Sequence, residues 1–363
     1  MEEEVVDNMV QGIVEEQDFA WDDVHGGELD ATKVGEARRE EVKYMHSRGL
    51  WTAVAEEDCW AATGRAPISG KWVDTNKGSP EDPMIRSRLV ARDFREKDRD
   101  REDLFAATPP LELKRLLMSK AVEMGPRGVR KLLFVDAKKA HLNPKCERDV
   151  FIQLPKEAGG ANGTCGKLVH WLYGFRPAAQ AWETFYAEKL VKAGFERGIA
   201  SPVAFYHRDR DIACVVRGDD FTFCAASADL DWIEAMLPEW FEAKVRARLG
   251  PDDSDDKEVV ILGRLVKWES WGILYEADPR HRDLVLQELG LGSESKGLVV
   301  TGAKGSAKDE SEGDHLDGRE ARKLRALAAG LNYIWRRMLL MCSTLARRCA
   351  GTWPRRELVR GGE

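Results

Sequence analysis

Leu132-Leu133-Phe134-Val135-Asp136 puts a carboxylate directly after four consecutive apolar residues. A second stretch, Ile212-Ala213-Cys214-Val215-Val216-Arg217-Gly218-Asp219-Asp220-Phe221-Thr222-Phe223-Cys224-Ala225, puts two more in a short turn between apolar runs. The first run reads as a strand buried on both faces. The second reads as a β-hairpin. A carboxylate at the end of a buried strand is costly unless it is paired or bound to a cation. Three brought together repel one another and call for a divalent metal. Two plainer readings stand beside this one. Asp-Asp is ordinary turn chemistry, and Asp136 suits the N-cap of a following helix.

Around these strands the chain reads as mixed α and β. Trp182, Phe185, Tyr186, Leu190 and Ala193 form one helical stripe, and Leu230, Ile233, Leu237, Trp240 and Phe241 another. These aromatics read as core. Glu36 to Arg48 reads as a further helix. Residues 65–290 alternate short strands and amphipathic helices, the pattern of an α+β or α/β body.

Charge is distributed unevenly along the 363 residues, whose net charge is -7. Residues 1–60 hold 17 acids and 5 bases, and residues 319–363 hold 11 bases and 3 acids. Residues 1–20 lack periodicity and read as a disordered acidic N-terminus. Residues 291–318 read as a flexible linker rich in Gly, Ser and charge. Residues 319–349 read as helical, within a basic C-terminal segment that runs to residue 363. No apolar run reaches the ~20 residues of a membrane-spanning helix, and Met1-Glu2-Glu3-Glu4 is no signal peptide. The expectation is an intracellular protein, cytoplasmic or nuclear, with no membrane partner. Seven scattered cysteines argue against a disulfide scaffold, and no Cys or His spacing suggests zinc.

The order of motifs resembles the reverse transcriptase of copia-type LTR retrotransposons. Lys71-Trp72-Val73 and then Arg86-Ser87-Arg88-Leu89-Val90-Ala91-Arg92 are similar to its fingers motif. Phe105-Ala106-Ala107-Thr108-Pro109-Pro110 is similar to the block that follows. Val135-Asp136-Ala137 through His141-Leu142-Asn143 resembles the first palm motif, and Val150 to Pro155 its sequel. Leu172-Tyr173-Gly174-Phe175-Arg176-Pro177 through Trp182 resembles the next motif. Val215 to Asp220 stands where the family has Tyr-Val-Asp-Asp, and Ile261-Leu262-Gly263 resembles the block after it.

The resemblance implies an α+β right-hand polymerase with fingers, an antiparallel palm sheet backed by helices, and a partial thumb. On that resemblance the reverse transcriptase domain would span 21–290, followed by a truncated C-terminal segment. It implies an RNA-directed DNA polymerase that uses two Mg²⁺ ions, with Mn²⁺ as a substitute. The partners are a primed RNA or DNA template and deoxynucleoside triphosphates. Asp136, Asp219 and Asp220 would be catalytic and hold the metals, helped by the Ala137 carbonyl. Lys71, Arg86 and Arg88 would meet the triphosphate, although each also reads as a snorkelling surface base. His141 would stand at the gate against the ribose 2′-hydroxyl, and Pro177 and Gln180 at or near a nucleotide contact. Four residues depart from the family: Arg217-Gly218 replaces Tyr-Val, His141 replaces an aromatic, and Pro177 replaces Gln. These departures support a competing expectation of a catalytically inactive, transposon-derived fold that binds nucleic acid or a protein. An inert fragment is the third.

Overall fold

The computed structural model describes residues 20–79, 81–93, 104, 106–277, 279–292, 294–295, 318–335 and 339–342. The acidic residues 1–19 and most of the linker read at 291–318 lie outside them.

The apolar strand is longer than its core run, spanning Gly128–Ala137. It is central because seven of its residues, Arg130 to Val135 and Ala137, are buried, and it pairs on both sides. The sheet order is Glu196–Arg197, Ala204–His207, Ile212–Arg217, Asp220–Ala226, Gly128–Ala137 and Ala243–Leu249, with every pairing antiparallel. Successive side chains leave a strand on opposite faces. Leu133, Val135, Phe221 and Phe223 therefore enter one core with the helices Ala178–Lys192 and Ser227–Trp240. Leu132, Phe134 and Cys224 enter a second core with Leu117 and Met118 of helix Leu111–Ala121 and with Ile261, Val266 and Ile273.

A second sheet has the order Trp51–Ala55, Thr164–Leu168, Phe151–Gln153, Ile68–Asn76 and Ile85–Ala91. Its pairings are antiparallel except for Ile68–Ser69 against Ile152–Gln153, which run parallel. Helix Ala31–Ser47 contributes Val42 and Met45 to the core beneath this sheet. It starts earlier than periodicity predicts, because Asp30 caps it by accepting from the Thr32 and Lys33 amides.

The C-terminal basic segment is not helical throughout. The helix covers Gly318–Trp335, but Leu339–Cys342 pairs antiparallel with Gly272–Ala277 at the edge of a four-stranded sheet. An apolar run of four, too short for a helix of its own, gains ladder bonds there. Asp136 is not a helix N-cap either. It lies inside its strand, and the short 3₁₀ turn that follows, Ala140–Leu142, is preceded by Lys139.

One contact ties strand Ile85–Ala91 to the loop that leads into helix Ala178–Lys192. The Ala91 amide donates to the Tyr173 carbonyl at 2.7 Å. The next residue, Gly174, has φ +83°, and a Cβ there would lie 2.2 Å from the Ala91 oxygen. Gly174→Ala combines a left-handed backbone with a steric clash, so it should cost about 2 kcal/mol or more. Urea denaturation of the variant beside wild type measures this, and an unchanged midpoint would refute the tight approach.

Candidate active site

Strand register brings the carboxylates together. Asp220 is the direct cross-strand partner of Asp136. Directly opposed antiparallel residues share a face with Cβ atoms ~5 Å apart. Both strands are held here by their buried apolar residues, so the acids cannot separate without moving the core. Asp219 is exposed in the turn one residue away, where its carbonyl accepts from the Ala137 amide at 2.8 Å. Burial, and then the charge of Asp219, raises the Asp136 carboxyl above the usual range. The same two causes, in the same order, push Asp220 up to about 6.

Cations surround the pair. Lys244 faces Asp136 from the other side, and Arg246 follows it at a bulge in strand Ala243–Leu249. Both draw Asp136 down, as does Arg86. Beneath Asp220, burial brings the ammonium of Lys114 down to about 8, and the Asp220 charge opposes that fall. The motif reading missed Lys114, Lys244 and Arg246. Lys114 did carry a signal: it begins a stripe of i, i+3, i+4, i+7 positions whose other members, Leu117, Met118 and Ala121, are apolar and buried.

The three fingers cations share one face. In the hairpin Ile68–Asn76 and Ile85–Ala91, Lys71 opposes Val90, Val73 opposes Arg88, and Thr75 opposes Arg86. Lys71 is exposed, and its Nζ lies 3.5 Å from Asp23 Oδ1. The Arg88 guanidinium lies 5.0 Å over the Tyr173 ring, and its Nε is buried with no hydrogen-bond partner among the described residues. His141 tilts against the same ring, with centroids 5.9 Å apart. Burial lowers the imidazole pKa, opposed by Asp219 and reinforced by Arg88. Arg88 and His141 thus converge on Tyr173, next to the acids. Pro177 is buried where the chain enters helix Ala178–Lys192, and Gln180 is half-buried on its first turn. Among the described residues no contact links Gln180 to the carboxylates or the fingers cations.

Among the described residues no three His, Cys, Asp or Glu side chains close into a metal-holding cluster. Mg²⁺ does not require such a cage, because it binds through one or two carboxylates and completes its shell with phosphate oxygens and water. Two opposed, mutually repelling carboxylates with a third beside them fit that ion as a donor set.

An antiparallel sheet with helices behind it, an acidic hairpin beside a carboxylate-bearing strand and a cationic hairpin nearby define a right-hand polymerase. The chain belongs to the reverse transcriptase (RNA-dependent DNA polymerase) family, whose model matches residues 58–245. That family uses divalent metals. Two solved structures are similar at lower levels. A telomerase from Candida tropicalis matches at 9% identity and TM-score 0.35, over 70% of this chain and 63% of its own. A telomerase from Candida albicans, solved with a fragment of telomeric RNA, matches at 9% identity and TM-score 0.38, over 80% of this chain and 60% of its own. The chain therefore spans about three fifths of each telomerase chain it matches. Among the described residues no helix is long and apolar enough to cross a membrane.

The carboxylate pair has a measurable consequence without metal. Asp220 has a folded pKa above its unfolded one, so the native state holds the proton more tightly between about pH 4 and 6. Its ionisation costs stability above pH 6, and the cost vanishes as pH falls through 6 towards 4. With a chelator present, Asp220→Asn should be about 1 kcal/mol more stable than wild type at pH 7.5, and the gap should close near pH 4. Denaturant melts at both pH values test this, and equal stability at pH 7.5 would remove the repulsion from the account.

Proposed function

We propose that this chain extends a primer 3′-hydroxyl with deoxynucleotides on an RNA template, at the site formed by Asp136, Asp219 and Asp220. The observation that carries the reading is the cross-strand opposition of Asp136 and Asp220 at the end of a doubly buried sheet. Carboxylates held together against their own repulsion form a site for a cation. Mg²⁺ is the cation this donor set suits, with Mn²⁺ as a substitute. When bound, a pair of such ions activates the attacking hydroxyl and stabilises the leaving oxygen of the in-line displacement.

The rest falls to the chain's own groups. Asp136, Asp219 and Asp220 hold the metals, with the Ala137 carbonyl as a further ligand. Arg86 and Arg88 neutralise the triphosphate, and the unpartnered Arg88 Nε supports that role, since a buried donor calls for an acceptor. Lys71 joins them on the same face once it leaves Asp23. Tyr173 presents Arg88 and His141 as one unit. A flat imidazole there blocks bulk at the sugar but also offers a hydrogen bond to a 2′-hydroxyl, so the site discriminates less sharply against ribonucleotides. Pro177 and Gln180, at the entry to helix Ala178–Lys192, stand at or near the nucleotide contact. Primed template, which the family's nucleic-acid role supports, is held through phosphates by cations away from the metals.

Steady-state primer extension separates these roles. Asp219→Asn should abolish extension and leave primer-template affinity within about twofold, because binding rests mainly on phosphate contacts. Arg88→Ala should raise the nucleotide KM if its contact forms in the ground state, or lower kcat if it forms in the transition state. An Asp219→Asn protein that extends at the wild-type rate would reduce the acidic hairpin to a turn. Failure of the wild type on every template, with binding retained, would favour the inactive polymerase fold.

A further inference from the structure

The turn that carries Asp219 is exposed, yet its backbone is held from two sides. The Ala137 amide donates to the Asp219 carbonyl at 2.8 Å. The Trp182 indole N–H donates to the Gly218 carbonyl, also at 2.8 Å. Trp182 lies on helix Ala178–Lys192, 1% exposed, in the core beneath the sheet. Phe241 at 5.2 Å, Tyr186 at 5.5 Å and Phe221 at 6.3 Å all meet it edge-on, and Phe185 stacks on it at 5.8 Å. Rings pack against the indole on several sides. A buried indole N–H requires an acceptor, and the acceptor here is the acidic turn rather than the core.

That bond acts on Asp219 through one peptide plane. The Gly218 carbonyl and the Asp219 amide belong to the same rigid unit, and the Asp219 carbonyl is held by the Ala137 amide, so both peptide planes flanking the Asp219 Cα are fixed. Gly218 has φ +63°, in the left-handed region, so the hairpin does not close in an ordinary strand conformation.

We propose that Trp182 is a positioning residue for the metal site: its N–H holds the Gly218–Asp219 peptide so that Asp219 faces Asp136. Divalent-ion affinity then depends on an indole 36 residues away in sequence, on a different element. This rests on the metal reading given above, but the anchor itself can be tested without it.

The test uses the full chain free of primer and nucleotide. Mn²⁺ affinity is read by electron paramagnetic resonance, and amide exchange is followed at Gly218 to Asp220. Trp182→Phe removes the N–H but also some volume. A second variant, Trp182→3-benzothienylalanine, keeps the bicyclic shape and replaces the N–H with sulfur. Leu190→Ala, on the same helix and in the same core, is the packing control. Both Trp182 variants should bind Mn²⁺ about fivefold more weakly, the scale of one lost hydrogen bond, and exchange the turn amides faster. Leu190→Ala should lower the Tm and move neither readout. Wild-type affinity and exchange in both Trp182 variants would overturn the proposal, as would an equal effect from Leu190→Ala. If the wild type binds no Mn²⁺, the metal reading falls, and the exchange data alone decide whether Trp182 anchors the turn.

Discussion

The structure is organised around a repulsion. Asp136 and Asp220 face each other across two strands whose remaining residues are almost all buried. Packing fixes the strands, and the strands fix the acids. A sheet exposed on one face could splay to relieve the charge. This one is covered on both faces, by the helices Ala178–Lys192 and Ser227–Trp240 on one side and helix Leu111–Ala121 on the other. The hydrophobic core thus holds like charges together, and burial, then the charges of Asp219 and Asp136, raises the Asp220 carboxyl.

Other charges in the same sheet are neutralised within the protein. At the far end of the central strand, Arg130 and Lys120 both meet Asp211 at 2.7 Å, and the Tyr206 hydroxyl donates to it at 2.8 Å. Lys131 meets Asp252 and Asp255 at 2.6 Å. Asp229, 1% exposed, receives Arg127 and Arg210. A buried charge is tolerated when it is paired. Against this background the acids at the other end stand out, because Asp136 and Asp220 have cations nearby and none in an ion pair among the described residues. One end of the strand is neutralised internally, and the other carries charge with no ion pair among the described residues.

The fingers hairpin is fixed by a different device. Arg38, on helix Ala31–Ser47, pairs with Asp74 at 2.6 Å and lies 5.4 Å over the Trp72 ring. Asp74 and Trp72 lie on the face opposite Lys71 and the two arginines, since neighbours alternate along a strand. Anchoring one face to the body leaves the other to present its cations. The departures at Arg217, Gly218 and His141 fall around the acids and leave the pairing of Asp136 with Asp220 intact.

How much of this was legible in the sequence depends on the range of the physics involved. Leu132 to Val135 had to be a buried strand, and Ile212 to Ala225 a hairpin, because their patterns are local and admit few other structures. The stripes through Trp182 and Leu230 marked their helices for the same reason. The family motifs marked the three acids and the fingers cations. The sequence did not reveal that Asp220, rather than Asp219, stands opposite Asp136, because register is set by pairing between segments some 80 residues apart. It also concealed the short strand Leu339–Cys342, whose apolar run resembles the end of the preceding helix until a sheet edge is there to receive it. Lys114 beneath Asp220 and the Trp182 bond to Gly218 depend on helices docking onto the sheet. Sequence alone determined the central strand, the acidic hairpin and the striped helices, and which residues carry charge. Only the tertiary structure decided which charges meet, because that follows from packing between distant parts of the chain.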